Sequence, residues 1–203
     1  MERVLQHACD AQVLLFCSSP DQETQARSDA EFYPFDACRP RNFFRIGAAA
    51  NDGRPFEWIA SPEDVDFFFP GAEVVEHHDN NSNPQYGIEE TKLQSVTGSS
   101  VPTALGAGLA ATILYSLKTA ALAGTTSAGM ADEPVSSHDT RKIMGPESMR
   151  NAFENLGSAT DGRFIKICKK FEPAIKVLQN PSKSTQDKFE IISLLCRIML
   201  KEN

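Results

Sequence analysis

Thr97-Gly98-Ser99-Ser100-Val101-Pro102-Thr103-Ala104 runs directly into Leu105-Gly106-Ala107-Gly108-Leu109-Ala110-Ala111-Thr112-Ile113-Leu114-Tyr115. A Gly-Ser-Ser turn thus empties into a stretch built almost wholly of Ala, Gly, Leu and Ile. Such a run predicts a helix over about 101–122 whose sides are small enough to be packed all round. At the start of a helix the backbone N–H groups lack intrahelical partners, and the helix dipole favours negative charge there. A serine hydroxyl beside those amides suits acyl-transfer chemistry, because the same N–H groups can hold an oxyanion. The same residues also read as a serine N-cap on a buried core helix. Both readings remain open on this stretch alone.

The surrounding segments add to it. Val13-Leu14-Leu15-Phe16-Cys17-Ser18 has the continuous apolar character of a strand buried on both faces. Phe43-Phe44-Arg45-Ile46-Gly47-Ala48-Ala49 reads the same way, as does Val65-Asp66-Phe67-Phe68-Phe69-Pro70, which runs into Gly71. Strands are expected at 12–18, 43–50, 64–69 and 72–76, with a short helix at 2–11. Strands followed by helices give the α/β class.

In this order the segments resemble the C-terminal half of a subtilisin-like serine peptidase (subtilase) domain. Gly98-Ser99-Ser100 followed by small residues is similar to the family's nucleophile-helix signature. Phe43–Ala49 resembles the strand after the oxyanion loop, and Val65-Asp66 through Pro70-Gly71 resembles a later strand and turn. Val13–Asp21 is similar to the buried strand that ends at the oxyanion position. The flavour is that of intracellular subtilase-like domains of filamentous fungi, and the resemblance covers residues 1–125. It implies a partial subtilisin-like parallel sheet, Ser100 as nucleophile, Asp21 at the oxyanion and substrate-binding position, and a peptide or protein substrate. The loop 77–92, with Gln85-Tyr86-Gly87, would then border the substrate cleft, although its residues read equally as a plain loop.

Departures from the family pattern weaken the expected activity. The triad order is Asp, His, Ser, yet no Asp-(Thr/Ser)-Gly strand end and no His-Gly-Thr helix start occurs in this sequence. A neutral hydroxyl needs a base to take its proton. Without base and orienting acid, the oxyanion hole and binding leave about 10³–10⁴-fold over water. Asp21 stands where the family usually has Asn, and a carboxyl donates a hydrogen bond only when protonated. Ser18-Ser19-Pro20-Asp21 equally reads as an ordinary strand-to-loop turn. Pro102 sits earlier than the family's helix proline, but within the first turn a missing N–H costs little.

The four histidines offer no ready replacement. His7 falls on an amphipathic helix pattern, and His77-His78 lies in an Asp/Asn-rich loop that reads as a solvated loop or a metal pair. Ser137-His138-Asp139 spells a triad, but triad members are neighbours in space rather than in sequence. A serine-type endopeptidase acting through Ser100 and a non-catalytic, subtilase-derived interaction module are thus the two candidate functions.

Beyond residue 125 the character changes. Gly124 to Pro134 marks a linker, taken as 126–145. Pro146 to Leu156 fits a helix with Pro at its start and Gly157 just past its end. Phe164, Ile167, Cys168, Phe171, Ile175 and Leu178 give a second helical stripe, and Phe189, Ile192, Leu195, Cys196 and Met199 a third. Residues 146–203 are read as a helical C-terminal region. Residues 141–203 carry 12 Lys/Arg against 7 Asp/Glu, whereas the whole chain has net charge −7. The basic tail is expected to pack on the acidic remainder; either it covers the edge of a sheet that lacks its first strands, or the isolated chain is poorly stable.

Five cysteines without a CxxC pair read as reduced thiols, giving an intracellular, cytoplasmic expectation. The lysines are scattered without aromatic interleaving, so no nucleic-acid partner is expected. Lys118, with the Gly and Thr of the small-residue helix, argues against membrane insertion. No glycine-rich phosphate loop and no metal-ligand spacing occurs, so the expectation is no cofactor and no metal.

Overall fold

A computed structural model describes residues 2–19, 43–59, 61–71, 74–75, 95–96, 98–126, 134–157 and 162–201. Among them, helix α1 (Glu2–Asp10) leads into β1 (Leu15–Ser18), followed by β2 (Phe43–Ala49) and β3 (Phe67–Pro70). The short strands β4 (Val74–Val75) and β5 (Ser95–Val96) pair antiparallel. Five helices follow: α2 (Ser100–Thr126), α3 (Ser137–Lys142), α4 (Pro146–Leu156), α5 (Ile167–Gln179) and α6 (Thr185–Leu200).

The strands β1, β2 and β3 form a parallel sheet in that order. Leu15 lies opposite Phe43, and Ile46 opposite Phe67. Apolar runs suit this sheet because both of its faces are covered. One face carries Phe16, Phe44, Ile46, Phe67 and Phe69 into the main core, which also takes in α2, α4 and α6. The opposite face places Phe43 against Leu5 and Cys9 of α1, and Phe68 against Ile59, Val65 and Phe164. The chain is α/β, with a three-stranded parallel sheet and helices on its faces.

Phe153 of α4 is the hub of the aromatic core. Its ring centroid lies 5.1 Å from Phe67, 5.7 Å from Phe44 and 6.0 Å from Phe69. It is fully buried, and burying one such side chain stabilises the fold by about 1.5–3 kcal/mol. Helices from 146 onward therefore share one core with the sheet. Arg150, one turn earlier on α4, ties the layers with charge. Its Nη1 lies 2.7 Å from Asp66 Oδ1, and its Nη2 donates to the Phe43 carbonyl. Asp66 Oδ2 in turn accepts the Arg45 N–H at 2.7 Å.

The free side of β3 is covered by the helical region. The Phe68 N–H donates to the Arg163 carbonyl at 2.7 Å, and the Ile165 N–H to the Phe68 carbonyl at 2.9 Å. Phe164 was expected within a helix by its spacing, but it forms a parallel bridge with Phe68. Pairing with a sheet edge satisfies its backbone neighbours, so the helix begins only at Ile167. Within 126–145, Ser136 and Asp139 form a reciprocal capping box that starts α3.

Helix α2 is enclosed on one side, not all round. Leu109, Ile113 and Leu117 are buried, whereas Tyr115 is 74% exposed and Leu122 71%. One face meets the sheet, α3 and α6, and the small residues on the other face meet solvent. By length and composition alone, Ser100–Ala123 is also apolar enough to cross a membrane, and 33% of that stretch is buried within the protein.

Candidate functional site

The carboxyl ends of β1, β2 and β3 converge on the turn that starts α2. In open α/β sheets this end of the strands is where ligands bind. The Ser19 N–H donates to the Ile46 carbonyl at 2.8 Å, which holds the end of β1 against β2. The Gly71 N–H, just past β3, donates to the Ala49 carbonyl, and the Gly98 N–H donates to the Gly71 carbonyl, both at 3.1 Å. Gly98 has φ +145°, a conformation that side chains rarely adopt. A Cβ at Gly71 would overlap the ring of buried Pro102 and lie 2.8 Å from the Ala48 Cβ. Two glycines therefore allow the turn to sit tight against the sheet.

The two serines of the turn take opposite positions. Ser99 is fully buried, and its Oγ accepts the Ala48 N–H at 3.3 Å. Its carbonyl takes the Thr103 N–H at 3.1 Å and the Thr103 hydroxyl at 2.6 Å, closing the first helical turn. Ser100 is exposed and begins α2. Ser99 turns its oxygen to β2, and Pro102 brings no N–H to the first turn. No described hydrogen bond takes the N–H of Ser100 or Val101. Among the described residues these amides have no acceptor, and the start of a helix favours negative charge. Pro102 leaves the helix intact, as its place in the first turn predicts.

Among the described residues, no hydrogen bond joins Ser100 to a histidine or a carboxylate. His7 lies exposed on α1 and His138 exposed on α3. Asp21, His77, His78 and the stretch 85–87 lie outside the described residues. No group of three His, Cys, Asp or Glu side chains able to hold a metal ion occurs among the described residues. Ser99 is the position that the sequence did not single out, since the pair Ser99-Ser100 carries no signal for which member turns inward.

No family model matches this chain, and no curated protein matches it. Among solved structures, the prenylagaramide maturation protease PagA aligns over 99% of this chain, at 14% identity and a TM-score of 0.46. The chain spans 55% of the length of that protein. At this level the likeness assigns no residue a role.

Proposed function

We propose that this chain is the nucleophile-bearing part of a subtilisin-like serine endopeptidase, with Ser100 attacking the carbonyl carbon of a peptide bond. The observation that carries this reading is the split between the two serines. Ser99 anchors the turn from inside, and that leaves Ser100 exposed at a helix N-terminus beside the carboxyl ends of parallel strands. As the bond to the acyl carbon forms, the carbonyl oxygen gains charge. The Ser100 amide is suited to receive it, and Asp21 is the expected second group. The hydroxyl proton needs an acceptor, and the triad Asp and His are assigned to sequence outside this chain. Peptide and protein substrates are the class proposed, in an intracellular setting.

Two measurements test the proposal. The purified chain is expected to resist stoichiometric labelling by a fluorophosphonate probe, because its hydroxyl is not activated. The transcript is expected to extend 5′ into a frame that encodes Asp-(Thr/Ser)-Gly and His-Gly-Thr. Protein expressed from that frame should label at Ser100, and Ser100→Ala should abolish the label. A frame that opens at Met1 would instead favour the non-catalytic interaction module.

A further inference from the structure

The helical layer holds a cavity that chemistry at Ser100 does not use. About 470 Å³ of space lies between α3, the first half of α4 and the last turn of α6. Buried Ile143 and Met199 supply apolar wall, while Lys142, Arg197 and Lys201 bring three cations to its lining. Among the described residues of the lining, the one carboxylate, Asp139, is engaged by its own helix cap. Its Oδ2 accepts the Ser136 N–H at 2.8 Å and the Ser136 hydroxyl at 2.7 Å.

Two further features suit an anion. The Arg197 Nε is buried without a hydrogen-bond acceptor among the described residues, an expensive state for a charged donor. Helix α4 opens on Gly145 and Pro146 with no side-chain cap, and Ser148 in its first turn lines the cavity. The carbonyls at the end of α6, which would oppose an anion, are partly occupied. Asn155 Nδ2 donates to the Lys201 carbonyl at 2.7 Å and to the Met199 carbonyl at 3.4 Å.

We propose that this cavity binds a carboxylate carried on a medium-sized apolar body, either a free acid or the C-terminal residue of a peptide. The Arg197 guanidinium takes the carboxylate, Lys142 adds a second positive charge, and Ile143 and Met199 hold the apolar part. Arginine presents a planar donor fork that matches a carboxylate. Apolar lining with a few convergent polar groups is the usual make-up of a small-ligand site.

Isothermal titration calorimetry on the full chain tests this with octanoate, octylamine, inorganic phosphate, acetyl-Leu-Leu and acetyl-Leu-Leu-amide. Octanoate or acetyl-Leu-Leu should bind, and octylamine, phosphate and the amide should bind at least tenfold more weakly. Whichever carboxylate binds more tightly identifies the source. Arg197→Gln should weaken binding at least tenfold, and Lys142→Gln at least threefold, in variants whose circular dichroism matches that of the parent. No heat from either carboxylate at millimolar concentration overturns the proposal. So does octylamine binding as tightly, or unchanged affinity in folded Arg197→Gln or in Lys142→Gln. None of these results depends on the reading at Ser100.

Discussion

Ser99 and Ala48 are joined by a buried hydrogen bond, Ala48 N–H to Ser99 Oγ at 3.3 Å, across 51 residues of chain. It fastens the start of α2 to the carboxyl end of β2 and fixes which serine of the pair faces outward. Removing that oxygen leaves the Ala48 N–H buried and unsatisfied. Ser99→Ala should therefore cost about 1–3 kcal/mol in urea unfolding, whereas Ser100→Ala, on an exposed side chain, should change stability by less than about 0.5 kcal/mol. Equal costs for the two would remove the inward-outward assignment.

Glycine substitutions should have opposite signs at two positions. Gly71→Ala drives a methyl onto the Pro102 ring and the Ala48 side chain, so it should destabilise by about 1–3 kcal/mol through overpacking. Gly108 lies exposed within α2 with nothing within 4 Å of an added Cβ. Gly108→Ala should stabilise by up to about 1 kcal/mol, since alanine is the better helix former. Thermal melts of the two variants check both signs.

Asp66 and Arg150 should show measurable coupling. Their 2.7 Å ion pair is only 28% and 20% exposed, and Asp66 also accepts the Arg45 N–H. A double-mutant cycle with Asp66→Ala and Arg150→Ala should return about 0.5–3 kcal/mol of interaction energy. The partial burial should make it less sensitive to salt than a surface pair. The exposed Arg54–Asp52 pair serves as the control and should couple by less than about 1 kcal/mol.

Two thiols set an alkaline limit. Burial pushes both Cys17 and Cys196 up to about 12, with Arg45 partly opposing the effect at Cys17. A folded value above that of the unfolded chain, about 8.5, means stability that is complete below pH 8.5 and lost as pH rises toward 12. Cys17→Ala/Cys196→Ala should flatten that alkaline slope in urea titrations. At pH 8 iodoacetamide should reach half-buried Cys9 before fully buried Cys196.

The capping boxes set an acid limit. The Ser136 hydroxyl holds Asp139 below its usual range, and the Ser184 backbone N–H does the same for Asp187. A depressed folded value means stability present above the ordinary carboxyl range, about 3.9, and lost as pH falls through the lower folded value. Asp139→Asn/Asp187→Asn should reduce the loss of helical circular dichroism between pH 5 and pH 2. Carboxyl titration by NMR checks the two shifts directly.

Much of the fold was legible where local rules act without competition. Pro146 and Gly157 bracket α4 as read, because proline suits a first turn and glycine follows a last one. The runs at Phe43–Ala49 and Phe67–Pro70 became buried parallel strands. Phe164 kept helical spacing yet joined the sheet, since an open strand edge outweighs periodicity in a single turn. The exposed side of α2 was not legible either. Small residues are compatible with close packing, but they do not supply the partner that would pack against them.

By itself the sequence determined the α/β class, the buried character of the strands and the helix that follows the Gly-Ser-Ser turn. Those features depend on apolar runs, glycines and a proline that act on their nearest neighbours. Only the tertiary structure decided that Ser99 is buried and Ser100 exposed, and that Lys142, Arg197 and Lys201 surround one cavity. Identical side chains one residue apart differ only in what approaches them. Here that is set by β2 and Gly71 closing on the turn, and by helices distant in sequence meeting in one layer.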